Sequence, residues 1–415
     1  MAGDDFMNEA AAKRAFAIIF CTRLLDAIGF GIIMPVLPSL LMEVGEIPLA
    51  DATRTGGALF VTYALLQFLC GPLMGRLSDR FGRRPVILAS LAAFAIDYAF
   101  MAMAPTLAWL FIGRAVAGVA GAVYAPATAY VADITPPEQR AKVFGQLGAA
   151  FGLGFIIGPA LGGWIGELGP RAPFLLAAGL SAANFLVGLF ALPESLPAER
   201  RVPVDLRRAN PLSALLALGR YRGVVGVILA YFLFSLAFNV YPSTWSFFVT
   251  AKFDWSPALI GISYVWTGIF MASVQFALTG PIVGRLGEAN AAKLAMAVAI
   301  VGCLAYAFVP QGWMVFVIQP LVSLQMLIFP TISALISRRV DATEQGALQG
   351  VLGSMVALGS VFGPLLLTQV MAAYTEPGAP IYFPGAAFLV AGAIIAASLV
   401  WLSLELRRPF GAEPG

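Results

Sequence analysis

Four charged side chains lie inside long apolar stretches of this sequence: Arg23 and Asp26, then Asp97, then Arg114. An ionisable group in a lipid-embedded segment is costly and is therefore a candidate for function. A carboxylate whose arginine contact or water access differs between two conformations binds its proton differently in each. These residue types therefore indicate proton coupling. The alternative is a set of static ion pairs, with Arg23 reaching the membrane surface.

Asp97 and Arg114 are expected at a similar depth. Asp97 lies seven residues before Ala104, where its apolar stretch ends, and Arg114 lies seven residues after Leu107, where the next one begins. At ~1.5 Å per residue, both lie about 10 Å from the same turn. Asp26 is about ten residues into its own stretch, or roughly 15 Å, near the middle of a bilayer.

Twelve apolar stretches have the ~20 residues that a membrane-spanning helix requires. The longest polar stretch, Pro193 to Pro211, separates six of them from the other six. The sequence thus predicts an all-α membrane protein with two pseudo-symmetric six-helix bundles, residues 1–192 and 223–415, joined by a cytoplasmic linker at 193–222. The predicted helices, α1 to α12, cover roughly 16–41, 56–76, 84–104, 107–132, 142–166, 172–192, 223–250, 257–280, 292–310, 312–337, 346–373 and 382–404.

The composition excludes several classes of protein. Only 11% of the residues are charged, less than half the ~25% of an ordinary soluble domain. The chain has no histidine, isolated serines and no nucleotide-binding loop, so we expect neither an enzyme nor a metal site nor ATP as the energy source. We expect protons as the coupling ion and no cofactor. The expected partners are a small-molecule substrate and the lipid bilayer, without nucleic acid, and the expected state is a monomer.

The basic residues predict the orientation. With the N-terminus inside, 20 of the 25 Lys and Arg residues fall in inner loops and tails, and three fall in outer loops. Because Lys and Arg collect in cytoplasmic loops, both termini are predicted to face the cytoplasm, from a multi-pass position in the inner (plasma) membrane.

The two halves repeat each other. The stretch "GPLMGRL" at 71–77 returns as "GPIVGRL" at 280–286, and "GQLGAAFGLGFIIGP" at 145–159 returns as "GVLGSMVALGSVFGP" at 350–364. Duplicated halves of this kind form alternating-access transporters, whose substrate sites lie between the repeats. The repeat therefore predicts a central site.

Several motifs resemble those of the major facilitator superfamily: "GRLSDRFGRRP" after α2, "GRAVAGVAGA" in α4 and "GLGFIIGPALGG" in α5. In addition, "LLDAIGFGIIMPVLP", "IDYAFMA" and "EQGALQG" resemble the tetracycline-efflux branch of drug/proton antiporters. The resemblance covers nearly the whole chain. It implies that Asp26, Asp97 and Arg114 belong to the proton machinery, with Asp26 as the main proton site and Arg114 modulating Asp97.

The sequence also departs from that branch. Tetracycline exporters carry a histidine in α8 and an acid in α9, whereas this chain has Met271 and Gly302 at about those positions. Proton handling is therefore expected in the first half alone, and the departure argues against tetracycline as the substrate.

The arginine-rich loop after α2 has two interpretations. Arginines there mark a cytoplasmic loop, but the resemblance further implies a gate. Glycines would allow close backbone approach, Asp79 would accept hydrogen bonds from the N-terminus of a neighbouring helix, and the arginines would reach acids or lipid headgroups. The predicted gate residues are Gly75, Asp79, Arg80, Gly82, Arg83 and Arg84.

Small residues recur in α5 at four-residue spacing around a proline. Such a face allows close helix packing in lipid, and the resemblance suggests a further role in sealing an antiporter against proton leak. The motif comprises Gly154, Gly158, Pro159, Gly162 and Gly163.

Polar and aromatic residues within the helices are candidates for the substrate pocket, because binding sites are mostly apolar with a few polar groups. The alternative for each is an interhelical hydrogen bond or an interfacial aromatic. The candidates for substrate binding are Gln67, Asn239, Trp245, Gln275, Tyr63 and Tyr264.

We predict a proton-coupled exporter of drug-like or amphipathic molecules, with a symporter or facilitator that imports a nutrient as the alternative.

Overall fold

The computed structural model describes residues 9–203, 218, 224–340 and 344–407. Within those ranges every regular element is helical, and eleven helical stretches are long and apolar enough to cross a membrane. One of them, the 52 residues Pro257–Phe308, contains both α8 and α9, which meet at Gly287, where φ is +73°. The prediction of an all-α membrane protein with twelve spans is thereby confirmed.

Several of the helices are built from more than one segment. In the first half, α1 is Glu9–Ile33 followed by the short helix Leu37–Gly45, α2 is Leu49–Phe81, α3 is Arg83–Met103, α4 is Leu107–Gly121 and Tyr124–Ile134, α5 is Pro137–Gly166 and α6 is Ala172–Ala191. In the second half, α7 comprises Val225–Phe238 and Val240–Phe253, and α8 begins with Pro257–Ser273. The segment Thr279–Phe308 contains the end of α8, before Gly287, and α9 after it. The last three helices are α10, with Gly312–Val322 and Ile328–Ser337, α11, Gln345–Ala373, and α12, Ala386–Glu405.

The first helix begins before the predicted range of 16–41 and breaks within that range. It ends at Ile33 because Pro35 has no N–H to donate and its ring clashes with the carbonyl four residues earlier. That carbonyl, on Gly31, accepts instead from the N–H of Met34 at 3.2 Å. A tight turn therefore separates the two segments of α1.

A proline also interrupts α4, in the middle of its apolar stretch. Pro126 cannot donate to the carbonyl of Ala122, so the helix breaks between Gly121 and Tyr124. The amide of Gln67, on α2, donates to the Gly121 carbonyl at 3.0 Å. This contact satisfies a backbone group that would be costly to leave unpaired in lipid.

Two helices of the second half each contain an irregular turn. In α8, residues Val274–Leu278 form a π-helical turn, and in α10, Ser323–Leu327 form a 3₁₀ turn. These two turns pack against each other within the second unit. Such irregular turns occur frequently at functional sites.

The chain divides into two compact units. The first contains Met1–Val36 and Leu65–Pro211, and the second contains Leu37–Ala64 and Leu212–Gly415. The segment 37–64, although it precedes most of the first half in sequence, therefore packs with the second. The predicted linker lies partly outside the described residues, and its boundaries stay a prediction.

The first unit has a continuous apolar core at one end of its helices. It includes Ile19 of α1, Leu91 of α3, Tyr130 of α4 and Leu147 of α5, all of them buried. The hydroxyl of Tyr130 donates to the Pro193 carbonyl at 2.9 Å, which fixes the chain where it leaves α6. This core holds the helices that carry the buried charges.

Candidate functional site

The antiparallel helices α3 and α4 bring Asp97 and Arg114 into direct contact. The Nη2 atom of Arg114 donates to Oδ2 of Asp97, and both side chains are buried, that of Asp97 completely. Gly113 makes room for the carboxylate, since a Cβ atom there would lie 2.7 Å from its Oδ1. The equal depth inferred from the sequence agrees with this contact, and the role of the pair in proton coupling stays a prediction.

A second ion pair, mostly but not fully buried, lies within α1. Arg23 donates from Nη1 to Oδ2 of Asp26 at 3.2 Å, and the two side chains are only 12% and 13% exposed. The sequence left open that Arg23 reaches the membrane surface, but the structure instead turns it toward the acid one helical turn away. The spacing of three residues, which makes neighbours on a helix, was the signal for this pair.

Aromatic rings from two other helices surround the same guanidinium group. The Tyr124 ring of α4 lies 4.9 Å from Cζ of Arg23, and the Phe151 ring of α5 lies 5.9 Å from it. Both rings are within the ~6 Å at which an aromatic face attracts a cation. Sequence reasoning missed both aromatic residues, because only the tertiary packing brings them to α1.

Tyr98 lies between the two ion pairs. Its ring is 6.0 Å from Cζ of Arg114, and its hydroxyl occupies the space that a side chain on Gly29 would need. Gly29 is one turn along α1 from Asp26. One residue of α3 therefore contacts both the helix with the first pair and the arginine of the second.

The glycine motif of α5 packs directly on α1. A Cβ atom on Gly158 would lie 2.5 Å from the Ile28 carbonyl oxygen, and one on Gly154 would lie 2.6 Å from the Leu24 carbonyl oxygen. Gly162 approaches the backbone of Ile32 in the same way. These contacts fix the backbone of α1 on both sides of Asp26, and they explain why the motif requires glycine.

The remaining two residues of the motif are Pro159 and Gly163. The ring of Pro159 fills the space beside Gly31 of α1, where a Cβ atom would lie 2.6 Å from the proline Cδ. Gly163 is buried. A role of the motif in preventing proton leak stays a prediction.

In the loop after α2, Arg83 links two acids. It donates from Nη1 to Oδ1 of Asp79 at 2.6 Å and to Oγ of Ser78 at 2.6 Å, and its Nε lies 3.4 Å from Oδ2 of Asp133 at the end of α4. The expectation that an arginine of this loop reaches acids therefore agrees with the structure.

The acid at the N-terminus of α3 is Glu194, which sequence reasoning missed. That Asp79 accepts hydrogen bonds at the N-terminus of a neighbouring helix stays a prediction. Oε1 of Glu194 accepts from the backbone N–H of Arg83 at 2.9 Å, and its Oε2 accepts from that of Arg84 at 3.3 Å. These are the first N–H groups of α3, which favour a negative charge. Gly82, with φ of +105°, turns the chain so that these groups face Glu194.

The other loop residues have separate environments. A Cβ atom on Gly82 would collide with the Glu194 carboxylate, whereas one on Gly75 would meet nothing within 4 Å among the described residues. The close approach expected at Gly75 is thus not found in this conformation. Arg84 donates to the Leu189 carbonyl at 2.6 Å, and exposed Arg80 lies over the ring of Phe81.

Two of the substrate candidates connect α7 to α8. The indole N–H of Trp245 donates to the Ser263 hydroxyl at 3.0 Å, and the hydroxyls of Tyr264 and Ser246 lie 3.3 Å apart. Both aromatic side chains are buried. Their polar groups serve interhelical hydrogen bonds in this conformation.

The other candidates have separate local environments. The Asn239 amide donates to the Ser235 carbonyl of its own helix at 2.8 Å, and Gln275 is exposed in the π-helical turn of α8. Tyr63 is half-buried in the second unit, while Gln67 belongs to the first, where it caps the break in α4.

The structure also explains the missing acid in α9. A Cβ atom on Gly302 would lie 2.5 Å from Cγ2 of Val322, so α9 and α10 pack there without room for a longer side chain. Met271 is half-buried in α8. In the described ranges no three His, Cys, Asp or Glu residues form a group that could hold a metal.

Comparison with known proteins supports the resemblance of the motifs. The family model described as Major Facilitator Superfamily matches residues 19–364 and 227–415. The chain is 43% identical to the class C tetracycline resistance protein of Escherichia coli, over 87% of this chain and 91% of that protein. It is 40% identical to the class G protein of Vibrio anguillarum, over 94% and 96%. The solved structure of the human organic anion transporter MFSD10 is 26% identical, with a TM-score of 0.68, over 94% and 99%.

Proposed function

Because the chain belongs to the major facilitator superfamily, we propose that Asp26 and the Asp97–Arg114 pair carry the protons that it exchanges for small molecules. The protein is a proton-coupled secondary transporter that exports drug-like molecules, since its relatives favour export over nutrient import. The observation that supports the residue assignment is the presence of two carboxylate–arginine pairs among the helices of the first unit, one buried and one mostly buried.

The chemistry of each pair follows from its charges. A proton on the carboxylate removes its attraction for the guanidinium group, and separation of the two groups changes the affinity for that proton. Asp97 and Arg114 lie on different helices, so a shift of α3 along α4 alters their contact. We assign the main proton site to Asp26 and a modulating role to Arg114.

The topology and gate are part of the same proposal. Both termini face the cytoplasm, and the loop after α2 lies on that side of the inner membrane. The contacts of Arg83 with Asp79 and Asp133 support a gate that depends on charge, and Glu194 anchors its backbone to the end of α6. Sealing by the α5 glycines is supported by their direct contact with α1.

We propose an amphipathic substrate with a large apolar body. The names of the relatives make tetracycline the first compound to test, although the packing at Gly302 leaves no room there for the acid that tetracycline exporters carry in α9. The candidate contacts for the substrate are Gln67, Asn239, Trp245, Gln275, Tyr63 and Tyr264.

We further propose that the protein has no enzymatic activity, uses no cofactor besides the proton, binds no nucleic acid and works as a monomer. The fold and the relatives are those of transporters, which supports the first of these points.

Inside-out membrane vesicles with an acidic lumen provide the test. Uptake of tetracycline, a lipophilic cation or an organic anion should depend on the acidic lumen, and Asp26→Asn should lose this dependence. Asp254→Asn is the matched control, because Asp254 lies at the end of α7 with φ of +52°, a conformation that Asn tolerates. Retained proton coupling in both Asp26→Asn and Asp97→Asn would refute the assignment. Accumulation in right-side-out vesicles under an inward proton gradient would indicate import.

A further inference from the structure

The two halves allow the Arg23–Asp26 pair to be compared with its repeat equivalent. In the first half, a Cβ atom on Gly158 would lie 2.5 Å from the Ile28 carbonyl oxygen. In the second half, one on Gly363 would lie 2.5 Å from the Leu236 carbonyl oxygen. The contact of α5 with α1 is therefore repeated by α11 and α7, with Leu236 at the position of Ile28.

That alignment, an offset of 208 residues, matches Arg23 with Tyr231 and Asp26 with Phe234. Both aromatic residues are buried, and both pack edge-on against the ring of Phe329 from α10 at 6.0 Å. α10 is the repeat counterpart of α4, which supplies Tyr124 to Arg23. The second half thus packs this position with three rings where the first half uses a cation, an acid and rings.

The comparison separates packing from chemistry. Since the second half closes the same helix contact with uncharged side chains, the fold does not require an ion pair there. A buried ion pair carries a desolvation cost that apolar packing avoids. The charged pair of the first half is therefore explained by a functional role and not by a requirement of packing.

The ring contacts show how the arginine can remain when its acid is neutral. With Asp26 ionised, the pair has no net charge; with Asp26 protonated, the guanidinium group keeps its charge and loses its partner. The faces of Tyr124 and Phe151 then supply an attraction for the cation that does not depend on the acid. The arginine therefore has two sets of partners, an acid that can take up a proton and two aromatic rings that keep their attraction when it does.

We propose that Arg23 is a positioning residue for proton exchange, which holds the ionised carboxylate of Asp26 and is itself held by Tyr124 and Phe151 when that carboxylate is protonated. This inference rests on the proposed proton site at Asp26. The groups that face this pair are Tyr124, which is titratable, from α4, and uncharged Phe151 from α5. On the α6 side, the amide of Asn184 donates to the neighbouring Thr22 hydroxyl.

The test is an infrared titration of the full-length protein in lipid nanodiscs, which needs no substrate. The protonated-carboxyl band that is missing from Asp26→Asn reports on Asp26. In Arg23→Gln, its midpoint should move to higher pH by about one unit or more, because an adjacent cation favours the ionised carboxylate. In Arg23→Lys, which keeps a cation beside Asp26, the midpoint should lie close to that of the unaltered protein. An unchanged midpoint in Arg23→Gln would overturn the inference.

The rings give a second, opposite readout. Tyr124→Leu removes an attraction that matters most when the acid is protonated, so the midpoint should move to lower pH by about half a unit. Tyr124→Phe keeps the aromatic face and should not move it. These two variants decide the question even if Arg23→Gln does not fold, and equal midpoints in both would contradict the inference.

The matched control is Lys252→Gln in the second half. The Nζ atom of Lys252 also lies over two rings, those of Phe248 and Phe253, at 5.5 and 5.9 Å. Its removal should leave the midpoint of the Asp26 band unchanged. If Asp26→Asn and Asp97→Asn both keep pH-driven exchange, the proposed function fails. If Asp26→Asn loses exchange while Arg23→Gln has an unchanged midpoint, only the inference about Arg23 fails.

Discussion

The two halves of the chain share their helix packing and differ in what they bury beside it. Gly158 of α5 and Gly363 of α11 approach the backbones of α1 and α7 equally closely. Beside those contacts the first half buries charged pairs, and the second half buries aromatic rings.

The aromatic side of the comparison is extensive. Trp245 and Tyr306 have ring centroids 5.1 Å apart, and Phe248 and Phe388 have centroids 4.9 Å apart, in edge-to-face arrangements. Such pairs favour rigid apolar packing. The difference teaches that backbone contacts define the repeat, while the side chains next to them can specialise, with proton chemistry in one half and apolar contacts in the other.

The largest expected effect is on the charged half. Asp97→Asn removes a group proposed to take up the proton and Arg114→Gln removes its charged partner, so pH-driven transport should fall roughly 100-fold. Phe234→Leu, in the aromatic half, should reduce it only a few-fold. Vesicle transport measures this, and equal losses in both halves would remove the distinction between them.

The shared packing predicts a symmetric effect. Gly158→Val and Gly363→Val should each lower the stability of the purified protein by about 3 kcal/mol, because the new side chain overlaps a backbone carbonyl. Gly148→Val and Gly353→Val are the controls, since a Cβ atom at either meets nothing within 4 Å among the described residues. Thermal unfolding in detergent measures the difference. A loss in one half alone would show that the repeat contacts are not equivalent.

A change in the aromatic half should alter substrate preference without altering proton coupling. Trp245→Phe removes the hydrogen bond to Ser263 and should lower the free energy of unfolding by about 1 kcal/mol. We expect a changed ranking of the compounds transported, with the same pH profile as the unaltered protein. A shifted pH profile would place proton handling in the second half after all.

The smallest effect is expected at a pair joining segment 37–64 to the rest of its unit. Arg54 bridges Asp51 and Glu376, and all three side chains are partly exposed. Arg54→Glu or Glu376→Arg should lower the free energy of unfolding by about 1 kcal/mol or less, and this loss should become smaller at high salt. The double variant should recover the lost transport, because it restores opposite charges with exchanged positions. Additive losses would show that the pair does not form in the membrane.

Several features could be predicted from residues near one another in sequence. Apolar length predicts the twelve spans, and helical rise predicts that Asp97 and Arg114 are level. The contacts of the gate loop were predicted less well. Glu194 lies more than 100 residues from Arg83, and nothing in the local pattern indicates that it caps α3.

The sequence by itself therefore determined that the chain lies in lipid, where its helices are, that its two halves are duplicated, and which charged residues lie inside the membrane spans. These follow from composition, periodicity and the energetics of charge in lipid, which act within one segment. Only the tertiary structure decided that Tyr124 and Phe151 lie against Arg23, that Glu194 lies at the N-terminus of α3, and that position 302 leaves no room for an acid. These depend on which helices pack together, and that choice is a property of all of them at once.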